Sequence, residues 1–127
     1  MMRLTHDTRL HHVALRVASI EVSAAFYATA FGFDIVREYH DDGRRVIVHL
    51  RQRGSPYVVE LIERQPPTIP PDRFHLGMST SDVAALETHL RHIHPLRWTQ
   101  RADVGRERIL FFRDPDGLLI EANDGLL

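Results

Sequence analysis

Apolar and polar residues alternate along the first patterned stretch of the chain. Val13, Leu15 and Val17 point to one side of a predicted strand, and His12 and Arg16 point to the other side. A serine in N-cap position follows, and then an apolar stripe at helical spacing that ends at a glycine. The pattern predicts a strand with one open face, followed directly by a helix.

Three further strands complete this first unit. The helix is predicted between Ser19, its N-cap, and Gly32, its stop signal. Strands are predicted over residues 33–39, 45–50 and 57–62, and the segments between them carry the Asp, Gly and Pro residues typical of turns. The first half of the chain is therefore predicted to be a βαβββ unit.

The same order of elements returns in the second half. A strand is predicted over residues 74–80, and Thr80 or Ser81 is the expected N-cap of a helix that Pro95 ends. The apolar side of this helix consists of Val83, Leu86, Leu90 and Ile93. Three strands are predicted after it, at 96–100, 108–112 and 118–122.

The domain organisation follows from this repeat. Residues 1–127 are predicted to form one α+β domain of two βαβββ modules, at about 9–64 and 73–124. A stiff, proline-rich linker over residues 65–72 joins the two modules.

Composition excludes several classes of function. The formal net charge is −1, so neither nucleic acid nor an anionic membrane is the expected partner. The chain has no cysteine and no lysine, which rules out thiolate zinc sites, a cysteine nucleophile and Schiff-base chemistry. It also lacks a signal-peptide pattern and a membrane span, so a soluble cytoplasmic protein is the default expectation.

A histidine and a glutamate recur in each half. His12 and His75 open the first strand of their units, and Glu60 and Glu121 interrupt the apolar last strands. A charged group on a buried strand is costly unless something compensates it. One such residue is usually structural or solvent-facing, but two of each in the same order indicate a shared site. If the two sheets face each other, all four side chains can converge.

This ligand set predicts a divalent metal ion. Two imidazoles with two carboxylates suit Zn, Ni, Fe, Co or Mn better than Mg or Ca, which prefer oxygen throughout. Such an ion stabilises developing negative charge on a substrate oxygen, and Glu60 or Glu121 is the expected proton carrier.

Five further residues are weaker candidates. Arg16 shares the predicted face of His12 and can contact an anionic substrate group or lie at the surface. His49 is either a second acid/base or a partly exposed strand residue. Trp98 and Phe112 either wall a substrate pocket or pack in the core. Alternation places His11 on the face opposite His12, so His12 is the preferred ligand.

The residues carry a resemblance to a known superfamily. The run His12–Val17, with Phe26-Tyr27 and Phe31-Gly32-Phe33, resembles the opening module of the vicinal oxygen chelate superfamily. Residues 111–117 with Ile120-Glu121 resemble its closing strand pair. That superfamily includes glyoxalase I, methylmalonyl-CoA epimerase, extradiol dioxygenases, fosfomycin-modifying enzymes and bleomycin-resistance proteins. Over about residues 9–123 the resemblance implies modules that form an open, cupped mixed sheet around a metal. It also implies a homodimer in which the modules pair within one chain or across two.

The resemblance also implies specific ligands and activities. The four-ligand pattern of glyoxalase I falls on His12, Glu60, His75 and Glu121, which implies a lyase or isomerase acting on a small oxygen-chelating substrate. An extradiol dioxygenase would use Fe(II) with His12, His75 and Glu121. A metal-free protein that binds an antibiotic would lack these ligands. The linker and residues 101–107 depart from glyoxalase I, which leaves glutathione and catalysis itself as open questions.

Overall fold

The computed structural model describes residues 8–64, 74–94, 96, 99–104 and 106–125. The first module consists of β1 (His12–Val17), α1 (Ile20–Phe31), β2 (Phe33–Asp41), β3 (Arg44–Gln52) and β4 (Val58–Glu63). The second consists of β5 (His75–Ser79), α2 (Val83–Ile93), β6 (Thr99–Arg101), β7 (Ile109–Arg113) and β8 (Leu119–Asn123). The prediction of an α+β fold with two βαβββ modules is confirmed. The predicted linker 65–72 and the helix-ending Pro95 lie outside the described residues.

Each module builds one four-stranded mixed sheet. The strand orders are β1-β4-β3-β2 in the first sheet and β5-β8-β7-β6 in the second. In both sheets the first and last strands of the module pair in parallel, and the other neighbours are antiparallel. The helix and the two strands that follow it form the long crossover connection that a parallel pair of first and last strands requires. The two modules therefore repeat the same topology as well as the same sequence pattern.

The helix ends were predicted with unequal success. The Ser19 side chain accepts a hydrogen bond from the amide of Val22, and Gly32 adopts a left-handed conformation at the end of α1, as predicted. The predicted cap of α2 was wrong by one or two residues. Asp82 caps this helix, because its carboxylate accepts from the amide of Ala85 at 3.0 Å. Thr80 instead accepts from the amide of Asp82.

Strands β2 and β3 are longer than the sequence predicted. The predicted turn covered residues 40–43, whereas the observed turn consists of Asp42 and Gly43 alone, which have φ angles of 50° and 74°. Positive φ at both central residues is the geometry of a two-residue hairpin turn, and it lets the flanking strands pair up to the turn itself. The hairpin is consequently a long ribbon at the edge of the first sheet.

One hydrophobic core joins the two modules. In each sheet, alternate residues point toward the helices and are buried, among them Val48, Leu50 and Leu61 in the first sheet and Leu110, Phe112 and Ile120 in the second. Helices α1 and α2 contact each other, and the rings of Phe31 and Phe112 lie 6.0 Å apart. Each helix therefore covers one face of its sheet and leaves the other face open. No helix in the described ranges is long and apolar enough to cross a membrane.

A buried polar network ties the β7–β8 turn to the first module. The Tyr27 hydroxyl donates to Asp114 at 2.8 Å, and the Ser23 hydroxyl and the Ala18 amide donate to Asp116, each at 3.1 Å. Burial raises the pKa of the Asp114 carboxyl. Burial also raises the pKa of the Tyr27 hydroxyl well above the ordinary value for tyrosine. Because Tyr27 is fully buried, its hydroxyl depends on this partner within the protein.

We predict that Tyr27→Phe lowers the free energy of unfolding by about 1–3 kcal/mol, since it leaves an oxygen of buried Asp114 without its donor. Urea unfolding should show a lower midpoint with an unchanged slope. Tyr57→Phe is the matched control, because this tyrosine is 74% exposed. Equal stability of the two variants would show that the cross-module hydrogen bond contributes nothing.

Candidate metal centre

The pairing of β1 with β4 brings the first histidine and glutamate together. Ala14 lies opposite Glu60, and His12 lies two residues before Ala14 on the same face. The His12 Nε2 atom is 3.5 Å from the Glu60 Oε2 atom. The predicted alternation of β1 is confirmed, since Leu15 and Val17 are buried and His12 is exposed.

The second module repeats this arrangement. Gly77 lies opposite Glu121, and His75 lies two residues before Gly77. The His75 Nε2 atom is 3.8 Å from the Glu121 Oε2 atom. A Cβ added at Gly77 would lie 3.9 Å from that carboxylate, so the residue opposite each glutamate is small, Ala14 in one sheet and Gly77 in the other. Each sheet thus carries one histidine–glutamate pair on its open face.

His49 lies closer to Glu60 than His12 does. It sits directly opposite Glu60 in the β3–β4 pair, and its Nε2 atom is 2.6 Å from Glu60 Oε2. The sequence allowed a partly exposed strand residue here, but His49 is only 5% exposed. The rings of Tyr39 and His12 lie 5.4 Å and 5.3 Å from the His49 ring. His12, His49 and Glu60 form a group whose potential ligand atoms all lie within 4.8 Å of one another.

His11 is not on the face that alternation predicted. Its Nδ1 atom lies 2.9 Å from His12 Nδ1, and its ring centre lies 5.8 Å from that of His49. The prediction was wrong because β1 begins at His12, so strand alternation does not govern His11. Because His11 contacts the Nδ1 atom of His12, the Nε2 atom of His12 is the one that faces Glu60. A partner on one ring nitrogen orients the other nitrogen toward a metal in many protein sites.

The other predicted site residues occupy different positions. Arg16 is exposed on the His12 side of β1. Phe112 is fully buried on the helix side of β7 and packs against Phe31. Of its two predicted roles, it therefore packs in the core. Trp98 lies outside the described residues. Within the described part of the chain, neither His75 nor Glu121 joins the group around Glu60.

The donor atoms fit a divalent transition metal. His12, His49 and Glu60 offer imidazole nitrogens and a carboxylate, the mixture that suits zinc, nickel, iron or cobalt. Two ligand atoms on one tetrahedral ion lie about 3.3 Å apart, given bond lengths near 2.0 Å. The separations of 3.5 Å and 2.6 Å between these side chains bracket that value. The open face of the first sheet therefore has the chemistry and the spacing of a metal site.

Comparisons with known proteins agree with this architecture. The family model described as Glyoxalase/Bleomycin resistance protein/Dioxygenase superfamily matches residues 9–122. The chain is 32% identical over 120 residues to the protein named "Uncharacterized protein YaeR" of Escherichia coli (strain K12), and the match covers 89% of this chain and 93% of that protein.

Solved structures of other proteins share the fold. TnmS3, an antibiotic binding protein from Streptomyces sp. CB03234, superposes with a TM-score of 0.69 at 24% identity and covers 98% of both chains. The trypanothione-dependent glyoxalase I of Leishmania major gives a TM-score of 0.72 at 21% identity, with 93% of this chain and 87% of that chain covered. At these identities the similarity concerns the fold.

Proposed function

The chain belongs to the Glyoxalase/Bleomycin resistance protein/Dioxygenase superfamily, and we propose that it is a glyoxalase-type, metal-dependent lyase or isomerase. Its substrate is a small molecule that chelates through neighbouring oxygens. Small-molecule binding is common to this superfamily, whose members include an antibiotic binding protein and a glyoxalase I of the same fold. The metal is a divalent ion of the zinc, nickel, iron, cobalt or manganese group.

The observation that carries this proposal is the repeated register of histidine and glutamate. In both modules the histidine lies two positions before the residue opposite the glutamate. This holds for His12 with Glu60 and for His75 with Glu121, each time on the sheet face that the helix leaves open. Core packing does not require a charged residue at the centre of either strand. A site with two imidazoles and two carboxylates accounts for both pairs together.

We further propose that the complete site forms between two copies of the chain. Within one chain the modules meet through their helices, and the two histidine–glutamate pairs do not come together in the described part of the structure. Among the strands that the structure describes, β1 and β5 each lie at the edge of their sheet. A two-fold symmetric dimer can bring the first sheet of one chain beside the second sheet of the other, and symmetry then creates two such sites.

The reaction assigned to this site is proton transfer next to a carbonyl group. A bound divalent ion supplies Lewis-acid stabilisation of the negative charge that develops on the substrate oxygen. The Glu60 carboxylate is held by His49 Nε2 at 2.6 Å, whereas the described residues place only His75 near the Glu121 carboxylate, at 3.8 Å. We therefore assign proton abstraction to Glu121, whose carboxylate has more freedom to approach a substrate carbon. Arg16 lies on the His12 side of β1, where it can contact an anionic substrate group.

We predict that Glu121→Gln lowers turnover at least about 100-fold, because the amide cannot accept the proton. Activity would be assayed on metal-loaded protein with a panel of methylglyoxal–thiol adducts. Glu21→Gln is the matched control, since Glu21 is exposed in the first turn of α1. Undiminished turnover of Glu121→Gln with an intact fold would contradict the assigned role. Oxygen consumption with catechols by the iron-loaded protein would instead favour the dioxygenase alternative.

The shared site predicts complementation between two inactive variants. One carries His12→Ala with Glu60→Ala, and the other carries His75→Ala with Glu121→Ala. A heterodimer purified through two different tags has one intact ligand set, so it should retain about half the metal of the wild-type dimer after gel filtration. Each parental variant lacks an intact four-ligand set, so any metal it binds should be held too weakly to be retained through gel filtration. The measurement is elemental analysis of the purified species.

Two results would contradict the shared site. A heterodimer with no more metal than its parents would mean that each site lies within one chain. Absence of any bound or bindable divalent metal in the wild-type protein would remove the metal-dependent reaction and favour a metal-free binding protein.

A further inference from the structure

The two histidine–glutamate pairs are not equivalent. His49 lies directly opposite Glu60 in the first sheet, and Phe111 lies directly opposite Glu121 in the second. Both positions belong to the antiparallel pair that contains the glutamate strand, so they correspond in the repeated topology. One glutamate therefore faces an imidazole and the other faces a phenyl ring. The four-ligand site proposed above gives no role to this difference.

The position of His49 is well defined by its surroundings. Its side chain is almost completely buried, although it points to the face opposite the helix. Tyr39, His11 and His12 surround the ring with centre-to-centre distances of 5.3–5.8 Å. Strand β3 is an inner strand with partners on both sides. A ring confined in this way keeps its Nε2 atom directed at Glu60, so the geometry is preorganised.

The three side chains have the arrangement of a metal triad. His12 Nε2 and His49 Nε2 lie on either side of Glu60 Oε2, at 3.5 Å and 2.6 Å, and all ligand atoms lie within 4.8 Å. Two histidines and one carboxylate on one side of an ion form a facial set that leaves its other positions open. All three ligands come from one sheet of one chain, so this set needs no second copy.

We propose that the first sheet alone binds a divalent transition metal through His12, His49 and Glu60. The second sheet has Phe111 in place of the histidine and, within the residues that the structure describes, offers no third ligand, so it does not bind such a metal by itself. This inference deepens the proposed function, because it assigns initial metal capture to one of the two half-sites. The open positions on the captured ion would then be available to His75 and Glu121 of the partner subunit, and a chelating substrate would take the place of Glu121, which is the assigned base.

The competing explanation is a hydrogen bond with no metal role. In that case His49 serves only as the partner that compensates the partly buried charge of Glu60. The two explanations differ in what a residue at position 49 must supply. A ligand must offer an imidazole nitrogen to the ion, whereas a hydrogen-bond partner needs only an N–H group directed at Glu60.

The test uses Co²⁺ and the full-length variant His75→Ala/Glu121→Ala, which keeps only the first half-site. We expect this variant to bind one Co²⁺ per chain, more weakly than the wild type, in calorimetric titration. X-ray absorption should detect two imidazole ligands on the cobalt. Adding His49→Phe or His49→Gln should lower the affinity by well over about 100-fold, which is more than the roughly 10–100-fold cost of losing an outer-shell partner. Phenylalanine matches the residue at the corresponding position 111, and glutamine keeps an N–H group for Glu60.

Each outcome decides between the explanations. His92→Phe is the control for unspecific histidine binding, since His92 is exposed in the last turn of α2. If His49→Gln binds Co²⁺ as well as its parent, His49 is only a hydrogen-bond partner and the inference is overturned. If His75→Ala/Glu121→Ala binds no Co²⁺ while the wild type does, the inference fails but the proposed function stands. If that variant binds as tightly as the wild type, the triad is supported and the four-ligand site is contradicted.

Discussion

The parallel pairing between the first and last strands of each module is the constraint on which the rest of the structure depends. It places Ala14 opposite Glu60 and Gly77 opposite Glu121. Each histidine lies two positions before that small residue, on the same face of the sheet as the glutamate. A slip of one residue would turn the glutamate toward the core and the apolar residues toward solvent. The hydrophobic core therefore enforces the same register that the candidate site requires.

The packing of the helices explains why the two histidine–glutamate pairs lie apart within the described part of one chain. Helix α1 packs against β2, β3 and β4, and α2 packs against β7, so each sheet has one covered face and one open face. The Tyr27–Asp114 hydrogen bond and the contact of Phe31 with Phe112 join the two modules on their covered sides. With the modules joined in this way, the open faces point away from the shared core, which is the basis for the proposal that another copy of the chain meets them with its own histidine–glutamate pair.

Much of this arrangement could be predicted from the sequence, and the remainder depends on pairing. Periodicity and capping residues predicted the βαβββ repeat, the face of His12 and the ends of α1. The close contact of His49 with Glu60 could not be predicted, because it follows from the β3–β4 register rather than from local pattern. Asp82 was missed as the cap of α2 because Thr80 and Ser81, both capping residue types, directly precede it, and only the hydrogen bond to the Ala85 amide identifies Asp82. Whether the two histidine–glutamate pairs meet within one chain or between two could not be predicted, because the strand pattern of one chain does not determine how the modules pair.

The most direct test of the account is anomalous diffraction from crystals of the wild-type protein grown with Zn²⁺. We expect one strong peak per chain, bonded to His12, His49 and Glu60 of one copy and to His75 and Glu121 of the other. A protein without a zinc peak at these residues, or with zinc bound to neither glutamate, would contradict the claim that the repeated histidine–glutamate pairs form a metal centre.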